Sequence, residues 1–118
     1  MLEKLGQLRG YYLLNRIGGQ CRIIDLYVDS AAPPDWQAAY RLAVNDAASQ
    51  PQTCEITTFC SLPWVGKLLE SEGFHQRDER PAMLFGREKS FAGAQQVHLQ
   101  MVECDAFVVY SPSYPYLT

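Results

Sequence analysis

Two runs of strand-forming residues flank a pair of glycines near the start of the chain, and this arrangement constrains the fold more than any other sequence feature. The first run spans residues 8–16 and the second spans residues 21–28. Gly18 and Gly19 lie between them, and glycine readily takes the positive φ that tight hairpin turns require. The pattern therefore predicts an antiparallel β-hairpin.

The second strand of this hairpin carries apolar residues on both faces. Because successive side chains of a strand alternate between its faces, Ile24, Leu26 and Val28 are expected to share one face, and Ile23 and Tyr27 the other. Apolar residues on both faces are typical of a strand in the interior of a sheet. We therefore expect this strand to be central and the face that carries Ile24, Leu26 and Val28 to be covered.

A helix, a strand and a second helix are predicted next. Residues 35–49 repeat apolar side chains every three or four positions, and residues 53–59 contain the Thr and Ile that favour strands. For the second helix we expect Ser61 as the N-cap and Pro63 in the first turn. Gly73, followed by a phenylalanine, is placed to end this helix in the left-handed conformation.

The last third of the sequence predicts two further strands. Residues 81–87 and 96–102 read as an antiparallel pair joined by a loop, and an irregular tail is expected from about residue 106. The order of elements is then β-β-α-β-α-β-β. Since 118 residues suit one core, we predict a single α/β (α+β) domain over residues 1–118, with two helices on a mixed, mostly antiparallel sheet.

Composition narrows the classes of function. The chain is 47% hydrophobic and 19% charged, as in ordinary globular proteins, and its formal net charge of -3 argues against nucleic acid as a partner. No segment approaches the roughly 18 consecutive apolar residues of a membrane span, and the N-terminus lacks a signal peptide's apolar region. We therefore expect a cytoplasmic protein that does not bind membranes.

The cysteines are scattered, with no C-x-x-C pair and no histidines at zinc-ligand spacing, so we expect neither a disulfide nor a metal site. They are Cys21, Cys54, Cys60 and Cys104. Cys60 lies just before the second helix, where a thiolate would be stabilised by the helix N-terminus. Cys60 is therefore one candidate nucleophile.

The order of elements and the Gly-Phe helix end resemble the C-terminal half of the GNAT superfamily of acyltransferases. The resemblance covers roughly residues 8–105 and rests on residues 21–28, 35–49, 53–59 and 68–74. It implies a half-length GNAT-like fold, with acetyl-coenzyme A or another acyl-coenzyme A as the cofactor if the chain is an N-acyltransferase. The family's N-terminal half is missing, which implies a homodimer or a fusion partner that covers a sheet edge or the face of Ile24, Leu26 and Val28.

The sequence departs from the family where the cofactor and the catalytic residues would lie. The family binds pyrophosphate on a glycine-containing loop at a helix N-terminus, whereas residues 30–36 here hold no glycine, two prolines and Asp35. The residues available for any cofactor in this loop are Ser30, Ala31, Asp35 and Trp36. The positions at which the family places a catalytic Asn and Tyr hold Leu62 and Leu69. We therefore expect no cofactor.

Two further residues are candidates for catalysis. Asp25 lies mid-strand and could be a general base if it lines a cleft; the alternative is a structural partner for Arg9, Arg16 or Arg22. His98 lies in a predicted strand, where a hydrogen-bonded or surface histidine is the alternative.

These observations favour a degenerate GNAT-like domain that acts through self-association or by binding a partner or small ligand. The alternative is an acyl-coenzyme A-dependent N-acyltransferase with an unconventional site. A small-molecule sensor that uses a cleft around Asp25 and Tyr27 is a third hypothesis.

Overall fold

The structure is a computed structural model that describes residues 2–4, 6–77 and 100. Four strands form one sheet, and two helices pack against it. In chain order the elements are β1 (Leu2–Lys4), β2 (Gln7–Ile17), β3 (Gln20–Val28), α1 (Pro33–Ser49), β4 (Glu55–Thr58) and α2 (Pro63–Ser71). The predicted mixed α+β class and the order from the hairpin to the second helix are confirmed. The strands predicted at 81–87 and 96–102 and the tail from residue 106 lie outside the described residues.

The sheet is mixed, with the order β1-β2-β3-β4. β1 pairs with β2 and β2 with β3 in antiparallel fashion, whereas β3 pairs with β4 in parallel, with α1 as the crossover. Ile17 pairs with Gln20 across a two-residue turn, whose first glycine, Gly18, has a φ of 58°. The predicted hairpin is therefore confirmed, and β3 is central as expected. The short strand β1 was not predicted.

A β-bulge in β3 changes which side chains face the helices. Leu13 pairs with Asp25 but Leu14 pairs with Ile23, so Ile24 is the extra residue. The alternation of side chains shifts at this point, and Ile23 joins Leu26 in the core while Ile24 stays half-buried. The prediction that Ile24 shares the covered face is therefore wrong, because the bulge breaks the two-residue repeat.

The core lies between the sheet and the two helices. Its buried side chains are Ile23, Leu26, Val28, Trp36, Ala39, Tyr40, Ala43, Val65, Leu68 and Leu69. Leu26 is 0% exposed and Val28 is 6% exposed, because the chain's own helices cover them. The face of Leu26 and Val28 is therefore not open to a second copy or a fusion partner, and that part of the predicted interface is wrong.

Both ends of α2 follow from local residue chemistry, although one differs from the prediction. The N-cap is Leu62 rather than Ser61, and no side chain of the N-cap accepts a bond from the first turn. Pro63 begins the helix, where its fixed φ suits helical geometry and its missing N–H needs no partner. The helix start therefore relies on proline rather than on a serine cap.

The other end of α2 is a Schellman motif. Gly73 has a φ of 96°, its N–H donates to Glu70 O at 3.1 Å, and the N–H of Phe74 donates to Leu69 O at 3.0 Å. The Phe74 side chain packs back against the core. The predicted Gly-Phe helix end is confirmed.

Candidate functional site

The parallel strand β4 pairs with only the first part of β3. Their pairing ends at Ile23 and Thr58, after which β4 stops and the chain turns toward α2. The carboxamide of Gln100 bonds to β3 beyond this point. Its Oε1 accepts from the N–H of Leu26 at 2.9 Å, and its Nε2 donates to the C=O of Leu26 at 2.9 Å. One side-chain amide thus makes the two bonds that a neighbouring strand would make.

Four side chains form a block on the face of the sheet opposite the helices, which we call the tyrosine patch: Tyr11, Leu13, Asp25 and Tyr27. Tyr11 pairs across the strands with Tyr27, and Leu13 pairs with Asp25. The intervening residues point toward the helices, since Leu26 is buried and Tyr12 donates its hydroxyl to Asp46 of α1 at 2.9 Å.

The tyrosine patch is open to solvent. Tyr11 is 39% exposed, Leu13 is 47% exposed and Tyr27 is 49% exposed. An exposed cluster of large hydrophobic side chains is characteristic of a binding surface, whereas single exposed ones are common on any protein. The patch is therefore the strongest candidate surface in the described part of the chain.

Asp25 is fixed at one edge of this patch by two neutral donors. The hydroxyl of Tyr11 donates to Oδ2 at 2.8 Å, and Nε2 of Gln100 donates to Oδ1 at 3.0 Å. Asp25 is hydrogen-bonded at the sheet surface, as the structural alternative to catalysis expected, but its partners in the described residues are Tyr11 and Gln100 rather than an arginine. Arg16 Nε donates to Gly18 O, and Arg22 Nε donates to Gln20.

A series of aromatic rings leads from the patch to the starts of the helices. The ring centroids of Tyr11 and Tyr27 are 6.2 Å apart, those of Tyr27 and Trp36 are 6.4 Å apart, and those of Trp36 and Trp64 are 5.5 Å apart. The two contacts of Trp36 are edge-to-face, a favourable geometry for aromatic pairs. Trp36 is 8% exposed, so this candidate loop residue serves the core.

In the loop before α1, the polar groups form hydrogen bonds with one another. The N–H of Ala32 donates to Oγ of Ser30 at 3.0 Å, and that hydroxyl donates to Asp35 Oδ2 at 2.6 Å. Asp35 lies in the first turn of α1, where a carboxylate interacts favourably with the helix dipole. The remaining candidate of this loop, Ala31, is exposed. A negative charge already occupies the position at which an anion would bind.

Tyr40 lies in the core, and half-buried Cys60 packs against that core, so neither residue belongs to the tyrosine patch. Burial raises the pKa of the Cys60 thiol, the direction opposite to the one expected of a thiolate at a helix N-terminus. The hydroxyl of Tyr40 is fully buried with no hydrogen-bond partner among the described residues, and its pKa is raised first by burial and then by Cys60 and Asp25. His98 lies outside the described residues.

Sequence reasoning identified Asp25 and Tyr27 but missed the other side chains around them. Tyr11 and Leu13 could have been assigned to one face of β2 from their spacing alone. No sequence pattern marks Gln100, whose contacts join positions 74 and 75 residues apart.

Among residues 2–4, 6–77 and 100, no three His, Cys, Asp or Glu side chains meet in an arrangement that could hold a metal ion. Neither α1 nor α2 has the length and apolar content that a bilayer span requires.

In comparisons with known proteins, no protein-family model, no curated protein and no solved structure matches the chain.

Proposed function

We propose that this chain is a ligand-binding domain with a GNAT-like order of elements, and that the tyrosine patch is its binding surface. The observation that carries the proposal is the patch itself. It combines three half-exposed large hydrophobic side chains with a carboxylate held by Tyr11 and Gln100. Such a combination supplies both apolar contact area and a fixed polar group, as small-molecule sites usually do.

Two features argue against acyl transfer from coenzyme A. The loop before α1 bonds its own Ser30 to Asp35, so a pyrophosphate would meet a carboxylate at the helix N-terminus. Leu69, at the position where the family places a catalytic tyrosine, is 5% exposed and belongs to the core. Leucine cannot donate a proton to a leaving group.

The proposal is tested by titrating the protein with acetyl-coenzyme A and, separately, with small fragments. Amide chemical shifts report the binding in both titrations. We expect acetyl-coenzyme A to bind no more tightly than about 1 mM, equivalent to about -4 kcal/mol. A set of small neutral, anionic and cationic fragments should shift the amides of Leu13, Asp25 and Tyr27. Micromolar binding of acetyl-coenzyme A that shifts residues 29–37 would instead support the transferase, and fragments that bind only elsewhere would remove the patch from consideration.

A homodimer joined at a sheet edge is a further part of the proposal. β1 and β4 are the outer strands of the described sheet, and an outer strand offers main-chain groups to another chain. Sedimentation at micromolar concentration should give twice the mass of the chain. A monomer at that concentration would refute this part without affecting the ligand site.

A further inference from the structure

The geometry of the tyrosine patch points to a ligand class, and we propose that it binds a small organic cation, best a guanidinium compound. This inference rests on the proposed function, because it uses the same surface. It goes further by naming the charge and the shape that the surface would recognise.

The carboxylate of Asp25 accepts hydrogen bonds from a phenol and an amide, and neither donor carries a charge. An ionised carboxylate offers about four lone-pair positions, so these two bonds leave acceptor capacity for a ligand. Since the two bonds also fix the orientation of the group, a cation would meet a carboxylate that is already in place.

Tyr27 is two residues from Asp25 on the same face of β3, and its side chain is 49% exposed. A cation within about 6 Å of a tyrosine ring centroid is attracted to the ring face. A guanidinium group is planar, so it can stack on a ring and also present paired N–H donors to a carboxylate, and it gives up water more readily than an ammonium group does.

The tyrosine patch contains four side chains. The other exposed large hydrophobic residues in the described part of the chain are Leu8 on β2 and Leu42 on α1. A stable protein interface uses about 20–30 residues on each side, which is far more than this patch. The surface is therefore matched to a small molecule rather than to a protein.

The test compares n-butylguanidinium with n-butylurea, which has nearly the same shape but no charge. We expect n-butylguanidinium to shift the amides of Leu13, Asp25 and Tyr27, with an affinity at least about tenfold higher than that of n-butylurea. The affinity should fall as salt is added, because exposed charges are screened. Equal affinities for the two probes would overturn the proposal.

Variants separate the role of the carboxylate from a general effect of charge. Asp25→Asn keeps the shape of the side chain and should lower the affinity for n-butylguanidinium at least about tenfold. Asp29→Asn removes the same charge from an exposed position just beyond β3 and should leave the affinity within about twofold. Tyr27→Leu should weaken binding even if Asp25→Asn perturbs the sheet. Undiminished binding by both Asp25→Asn and Tyr27→Leu would refute the site.

The outcomes also separate this inference from the proposed function. If n-butylurea or anionic fragments shift the patch amides and n-butylguanidinium does not, the surface binds ligands but the cation assignment is wrong. If no probe shifts those amides, both the surface and the cation assignment are wrong.

Discussion

Gln100 takes the place of a neighbouring strand for Leu26, although the two residues are 74 positions apart. Its carboxamide accepts from the Leu26 N–H and donates to the Leu26 C=O, each at 2.9 Å. Gln100 is 6% exposed and Leu26 is 0% exposed, so both main-chain groups are satisfied away from water. The same amide orients Asp25, and it thereby links the interior of the sheet to the tyrosine patch.

Removing this amide should destabilise the fold. In Gln100→Ala the buried N–H and C=O of Leu26 lose their partner, and an unsatisfied buried polar group costs about 1–3 kcal/mol. We expect a loss of that size in urea denaturation and faster hydrogen exchange at the Leu26 amide. Gln76→Ala, at an exposed position, should change the free energy of unfolding by less than about 0.5 kcal/mol. An unchanged stability of Gln100→Ala would show that the bonds to Leu26 contribute nothing.

Gly10 is required where β2 packs against the main chain of β3 at Tyr27 and Val28. A Cβ at this position would lie 2.2 Å from the main-chain oxygen of Tyr27 and 3.1 Å from Cα of Val28. Because the main chain of β3 would have to move, Gly10→Ala should cost about 1–3 kcal/mol or more in the free energy of unfolding. Thermal denaturation measures the loss.

The matched control for Gly10 is Gly66, which lies inside α2. A Cβ there would lie 4.0 Å from Sγ of Cys60, an ordinary contact distance. Gly66→Ala should therefore stabilise the protein by about 0.5–1 kcal/mol, since alanine is the better helix former. A destabilised Gly66→Ala together with a neutral Gly10→Ala would contradict the packing described for both positions.

The sequence pattern predicted those elements whose signals are local. The hairpin at Gly18 and the helix end at Gly73 follow from glycine's access to positive φ, and the pattern of α1 follows from its apolar spacing. The bulge at Ile24 was not predicted because it depends on how two strands align. The N-cap is Leu62 rather than the predicted Ser61, because α2 begins at Pro63 and the N-cap is the residue before it.

The candidate site was predictable only in part for the same reason. Asp25 was identified because a charged residue interrupts an apolar strand, and Tyr27 because it lies two positions away on the same face of that strand. Which face of that strand stays open depends on the packing of α1 and α2, and this packing is a tertiary property. The contact of Gln100 with Asp25 depends on chain regions far apart in sequence.

Cys60 should react slowly with alkylating agents. Burial raises the pKa of its thiol, and the thiolate is the reactive form, so little nucleophile is present at neutral pH. Cys54 is exposed and should be modified by iodoacetamide first, at least several-fold faster. Peptide mass mapping assigns each modified cysteine, and the two rates should converge in denaturant. Preferential labelling of Cys60 in the folded protein would restore it as a candidate nucleophile.

The two helices are joined by a carboxylate whose effect on stability depends on pH. Glu72, at the C-terminal end of α2, accepts hydrogen bonds from Arg41 at 2.9 Å and from Gln37, both on α1. These bonds, that of Arg41 first, hold the pKa of Glu72 below its usual value. A carboxyl group with a lowered pKa in the folded state stabilises the fold above its unfolded-state pKa, and this contribution is lost as the pH falls through the folded-state value.

Glu72→Gln should therefore be less stable than the unmodified chain at pH 7, by a difference that shrinks as the pH falls from about 5 toward 3, the range in which glutamate becomes protonated. Added salt should reduce the difference at pH 7, because Arg41 is largely exposed. Glu70→Gln removes the same charge from an exposed position of α2 that has no side-chain bond in the described residues, and it should change the free energy of unfolding at pH 7 by less than Glu72→Gln does. Urea denaturation across this pH range measures both variants. A difference for Glu72→Gln that stays constant from pH 7 to pH 3 would mean that the charge of Glu72 does not hold the helices together.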